Sequence, residues 1–142
     1  SGMTNRSIAC IVKDQHPVTL SKSDTVQHAC QRMCKRRVGA VLVTDGKGAL
    51  CGIFTGRDAV RTMGEAKDPA VTPLSAAMTP EPQTIDPDRT AIDALRLMSD
   101  CGFRHLPVVK DKKIVGIVSR GDFKGMELDR LEDETALWER IA

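Results

Sequence analysis

The sequence reads "GIFTGRDAV" from Gly52 to Val60 and "GIVSRGDFK" from Gly116 to Lys124. Each stretch opens Gly-Ile and passes through one more apolar residue to a hydroxyl side chain, Thr55 or Ser119. Each then sets an acid three places further on, Asp58 or Asp122. An apolar run that meets Ser/Thr-x-x-Asp is what a strand looks like when it feeds directly into a helix N-terminus. Written twice in one short chain, it points to a duplicated unit.

The duplication extends outward from these motifs. When His16–Val43 is set above Glu81–Val108, Pro17 meets Pro82, Thr19 meets Thr84, Leu20 meets Ile85, Thr25 meets Thr90, Ala29 meets Ala94 and Met33 meets Met98, all at an offset of 65. One residue is lost between "TDGKGAL" and "KDKKI", and the motifs themselves then match at an offset of 64. Each copy begins with a short extended piece, Val18–Leu20 or Gln83–Ile85. A helix follows, with apolar residues at helical spacing: Val26, Ala29, Cys30 and Met33, or Ala91, Ala94, Leu95 and Met98. A buried strand comes next (Ala40–Val43; Leu106–Val109), then a tight turn and a second strand (Leu50–Thr55; Ile114–Ser119). The hydroxyl residue opens a second helix. The expected fold is α/β (α+β): two β-α-β-β-α repeats packed face to face about a pseudo-two-fold axis, plus a C-terminal helix. The expected boundaries are 8–72 for the first repeat, 73–126 for the second with its linker at 73–80, and 127–142 for an acidic amphipathic tail. "PLSAAMTPEP" joins the copies, and its prolines discourage continuous helix. In the tail, Leu128, Leu131, Trp138 and Ile141 fall on one stripe.

Composition narrows the function. The chain has 142 residues, enough to bury roughly two-thirds of its unfolded surface without a disulfide or metal. Aromatics are only 3% and Tyr is absent, which argues against a base-stacking surface for single-stranded nucleic acid. Net charge is +2, yet the tail holds six acids against two bases, leaving 19 bases and 13 acids in the body. A mildly basic body attracts phosphate-bearing small molecules, or is simply a solvated surface. No run of eighteen apolar residues suggests a membrane span, and no export signal is read, so five Cys without a CxxC pair suggest reduced thiols in the cytoplasm. Ser1-Gly2 reads as a cloning remnant ahead of a natural start at Met3.

In isolation Ser/Thr-x-x-Asp is a capping box, and Thr90-x-x-Asp93 has the same spacing. Its recurrence at one strand-to-helix boundary in two diverged copies suggests a second use. Free N–H groups at a helix N-terminus suit a phosphate, and a carboxylate just inside it can accept both hydroxyls of a ribose. His28-x-Cys30-x3-Cys34 has metal-ligand residue types. However, Cys30 aligns with the core residue Leu95 and His28 with Asp93, which is expected to be exposed, so these ligands would face different ways. Cys51 aligns with Val115 and is expected to be buried.

The chain resembles a tandem pair of cystathionine-β-synthase (CBS) domains, a Bateman module. "GIFTGRD" and "GIVSRGD" carry the resemblance, with "FRHLPVV" before the second turn and "AAMTPEPQTIDPDRTAIDALRLM" entering the second copy. It implies a regulatory module that binds AMP, ATP, NAD or S-adenosylmethionine in clefts between the repeats. It also implies a homodimer, signalling by conformational change to a regulated protein that the sequence does not name, and no nucleic acid, membrane or required cofactor. Matched position by position, the first site takes Thr19, Thr55 and Asp58, and the second takes Thr84, Ser119 and Asp122. Arg104 and His105 stand where the family often places a basic pair for phosphates. The first copy has Gly39 and Ala40 there, so the two sites are expected to differ. The alternatives are a ligand-free interaction or dimerisation scaffold, and an enzyme using Asp122 or His105 as general base. No nucleophile pattern, phosphate loop or metal cluster favours the latter.

Overall fold

The computed structural model describes residues 5–123 together with Gly125, Glu127 and Leu137. The expected tail stripe of Leu128, Leu131, Trp138 and Ile141 lies outside the described residues. The elements run α1 (Ile8–Ile11), β1 (Thr19–Ser21), α2 (Val26–Arg36), β2 (Ala40–Thr44), β3 (Leu50–Thr55), α3 (Gly56–Gly64), α4 (Leu74–Ala77), β4 (Thr79–Pro80), α5 (Ala91–Cys101), β5 (His105–Lys110) and β6 (Lys113–Ser119), and then a 3-10 turn, Arg120–Asp122.

The unit built on the first repeat follows the expected order. Thr25 is extended and its hydroxyl accepts the His28 N–H at 3.1 Å, which starts α2. Val26, Ala29 and Met33 then fall on one buried face against Val41, Val43 and Phe54, while Cys30 is only half-buried at its edge. β1 pairs parallel with β2, and β2 antiparallel with β3. Cys51 is displaced where the β2–β3 register slips between Val43 and Thr44, and it is half-buried rather than buried. The residue left unpaired there forms a β-bulge.

The unit built on the second repeat departs in two places. The expected strand Gln83–Ile85 is reduced to a single parallel bridge, Ile85 to Val108. The cause is Pro107. In the first repeat the matching residue, Leu42, donates its N–H to Val18 O at 2.9 Å, but proline has no N–H and the ladder cannot extend. The helix expected from Ser119 opens as the 3-10 turn Arg120–Asp122 and is interrupted at Phe123 by extended angles (φ −92°, ψ 142°), while the described residues Gly125 and Glu127 beyond it are helical. Phe123 is buried in the core with Val118 and Leu106. Its first-repeat counterpart, Ala59, is too small to draw the chain inward and stays helical. The β5–β6 turn is tight, with Asp111 and Lys112 both at positive φ (50° and 66°).

Each repeat is completed by the short helix that precedes the other one. Ile8 and Val12, from α1 and its C-cap, are buried with Ala91, Leu95 and Met98 of α5. Leu74 and Ala77 of α4 are buried with Val26, Ala29 and Met33 of α2. The chain preceding each short helix bonds in the same way: Ala91 N–H donates to Arg6 O at 2.7 Å, and Val26 N–H to Thr72 O at 2.9 Å. The core of each repeat is thereby completed by apolar residues from outside its own repeat pattern.

Candidate functional site

Both hydroxyl–acid pairs form closed local loops. Thr55 donates its N–H (2.9 Å) and its hydroxyl (3.3 Å) to Asp58 Oδ2. Ser119 does the same to Asp122 Oδ2 at 2.7 and 3.2 Å. Thr90 and Asp93 form a third such box at the start of α5. The capping role is therefore real at all three places, and what separates them is what else the carboxylate meets.

In the first-repeat unit, Thr19 pairs with Leu42 and Thr55 with Ala40, so both hydroxyl residues lie beside the first half of β2, at one end of the sheet. Asp58 sits at that end and is 3% exposed. Its second oxygen, Oδ1, is taken: Arg61 Nη2 lies 2.9 Å away and Thr79 Oγ1 donates at 3.3 Å. Arg61 also donates to Ala77 O at 2.7 Å. Thr79 is held by the ladder between β4 and β3, opposite Ile53. The Thr19 side chain is exposed.

In the second-repeat unit, Asp122 is exposed and its Oδ1 has no hydrogen-bond partner among the described residues. Arg120 donates its N–H to Arg104 O at 2.9 Å, which places two arginines side by side where β6 ends and β5 begins. His105, the first residue of β5, is half-buried. Burial, and then the charge of Arg104, push its imidazole below its ordinary value, while Asp122 pulls it the other way. Arg6 fixes the turn from behind: its guanidinium donates to Asp122 O at 2.8 Å and pairs with buried Glu127 at 2.8 Å. Thr84 is exposed and precedes Ile85, which bonds across β5 to Pro107 O and Val109 N. Ser119, Asp122, Arg104 and His105 are thus brought together. A carboxylate oxygen without a partner among the described residues, close to the charge of Arg104 and the His105 imidazole, is suited to a polyol that carries phosphate.

Sequence reasoning missed Arg6, Arg61, Arg120 as a partner of Arg104, and Thr79. Arg61 had a legible signal, since it lies three places after Asp58, within helical reach, and Gly125 occupies the matching position after Asp122. Thr79 and Arg6 had none, because both arrive from remote segments. The His28 imidazole pairs with Asp24 at 3.1 Å, and among the described residues no three His, Cys, Asp or Glu gather as metal ligands. Among the same residues no helix is long and apolar enough to cross a membrane.

Comparison with known proteins gives one answer. A sequence profile described as the CBS domain matches residues 9–65 and again 74–126. The chain is 35% identical over 119 residues to the CBS domain-containing protein YhcV of Bacillus subtilis, covering 83% of this chain and 81% of that one. Its fold matches the crystal structure of the CBS domain protein NE2398 with a TM-score of 0.79 at 29% identity, over 89% of this chain and 98% of that one. It also matches the Pyrobaculum aerophilum CBS domain protein PAE2072, complexed with AMP, with a TM-score of 0.77 at 24% identity, over 86% and 95%. The chain spans 19% of the length of Arabidopsis thaliana CBS domain-containing proteins that it also matches.

Proposed function

The chain belongs to the CBS domain family, whose pairs are regulatory modules, and on that premise we propose that it senses an adenine nucleotide (AMP, ATP, NAD or S-adenosylmethionine) and signals by conformational change without catalysing a reaction. One observation carries the reading: the Asp122 carboxylate accepts from Ser119 through Oδ2, its Oδ1 has no partner among the described residues, and Arg104 and His105 lie close to it, with Arg120 in the same turn. Asp122 and Ser119 take the ribose, Arg104 and Arg120 the phosphate or carboxylate end, and Thr84 lines the base side. Thr19, Thr55 and Asp58 form the corresponding first-repeat set. The AMP of the Pyrobaculum protein belongs to that protein; at 24% identity what it shares with this chain is the fold, so the adenosyl reading rests on Asp122 and its neighbours.

Two copies pair into a homodimer, a reading supported by Val60 and Met63, which are 70% and 78% exposed one helical turn apart on α3. The ligand proposal is tested by thermal denaturation and calorimetry. At 100 times its dissociation constant a bound nucleotide stabilises the fold by about 2.7 kcal/mol, and Asp122→Ala removes that gain. No heat and no shift with any of the four ligands at millimolar concentration would overturn it in favour of a ligand-free interaction scaffold.

A further inference from the structure

We infer that the first-repeat acid is held shut by a two-donor latch, Arg61 and Thr79, so that an adenosyl ligand loads at Asp122 alone until the latch opens. The inference rests on the adenosyl reading above and adds to it which site fills and what controls the other.

The two acids share a capping geometry and differ in everything that approaches from outside it. Asp58 Oδ2 accepts from Thr55 N–H and hydroxyl, as Asp122 Oδ2 accepts from Ser119. Oδ1 is the oxygen left to meet a ribose. On Asp58 it already carries the Arg61 guanidinium at 2.9 Å and the Thr79 hydroxyl at 3.3 Å, with the carboxylate almost fully buried. On Asp122 it has no hydrogen-bond partner among the described residues, and Gly125 stands in sequence where the first repeat has Arg61. A ribose diol offers neutral O–H donors, while the guanidinium brings a full positive charge that compensates the buried carboxylate. Exchanging one for the other on a buried carboxylate is therefore uphill unless the ligand supplies further contacts. Both latch donors are also tied to one segment. Arg61 bonds the Ala77 carbonyl at the end of α4, and Thr79 sits in the β3–β4 ladder. Opening the first site thus requires the α4–β4 segment to let go, which makes that segment the natural carrier of a signal.

The test is calorimetric stoichiometry on the full chain, with AMP and S-adenosylmethionine as probes. The wild type is expected to take up one equivalent, and Asp122→Ala to weaken that event about tenfold or more, as loss of a charged acceptor does. Arg61→Ala takes the cation from the buried Asp58 carboxylate, so it is titrated at a temperature where its thermal unfolding curve shows it folded. It is expected to add a second, weaker equivalent, and the double variant Arg61→Ala/Asp58→Ala to lose that added equivalent. Two equivalents in the wild type, or a single one in Arg61→Ala, would overturn the latch while leaving the adenosyl reading intact. No heat with either probe in the wild type or in Arg61→Ala would overturn both.

Discussion

Gly52 and Gly116 begin the repeated motif, and both are glycine because a remote segment crosses directly over them. A Cβ on Gly116 would come within 2.7 Å of Val12 Cβ and 2.8 Å of Gln15 Oε1, whose amide oxygen accepts the Ile117 N–H at 3.0 Å. A Cβ on Gly52 would meet the Met78 thioether, with Cγ at 2.9 Å. The two obstacles differ in stiffness. Met78 can rotate its sulfur away, whereas Val12 Cβ moves only if the end of α1 moves. Alanine at either position overpacks the core, which typically costs about 1–3 kcal/mol. We expect Gly116→Ala to lower the melting temperature clearly more than Gly52→Ala, and thermal unfolding showing the reverse order would contradict this account.

At the scale of elements, the second repeat's long helix is better capped than the first's. Both helices start at a threonine N-cap, but α5 adds Asp93, which accepts the Thr90 N–H at 3.0 Å and the Arg89 Nε–H at 3.1 Å. At the matching place α2 has His28. The Arg89 side chain first, and then the Thr90 bonds, outweigh burial and bring the Asp93 carboxyl down to about 2. Because its folded value lies below its unfolded value, the stabilisation is fully present above about pH 4 and is lost as pH falls through about 2. For a partly exposed group this is worth about 1–2 kcal/mol, so Asp93→Asn should lower stability by that amount at pH 7. Urea denaturation from pH 7 downward should show the gap between wild type and variant steady to about pH 5 and narrowing below about pH 4. A gap that does not change with pH would place the loss elsewhere, in packing for example.

At the scale of the whole molecule, the proposed homodimer follows from apolar side chains left on the surface of α3. Val60 and Met63 stand clear of the first-repeat core, which is made by Ala29, Met33, Phe54 and Leu74. Light scattering at tens of micromolar protein should give twice the chain mass of 15.5 kDa. The paired change Val60→Lys/Met63→Glu should return it to the monomer mass without lowering the melting temperature of the monomer, since neither side chain is in the core. A monomeric wild type would refute the pairing. A dimer untouched by the paired change would move it to another face.

The duplication, the order of elements within each copy and the helix faces could all be read from the chain, because they depend on local periodicity and capping. Thr25 and Thr90 start their helices where the spacing says they should, and β3 ends at Thr55 as expected. The hydroxyl–acid motif was legible as a pair of candidate sites for the same reason. The sequence could not say that the two acids stand in opposite states. That depends on Thr79, which approaches Asp58 from 21 residues away, and on Arg6, which grips the Asp122 turn from 116 residues away. Nor could it say why the motif opens with glycine, since Val12 and Met78 reach Gly116 and Gly52 from the segments ahead of each repeat. Periodicity and capping are properties of neighbours along the chain. Whether a carboxylate is free or filled, and whether a Cβ has room, is decided by whatever folding brings against it from elsewhere in the chain.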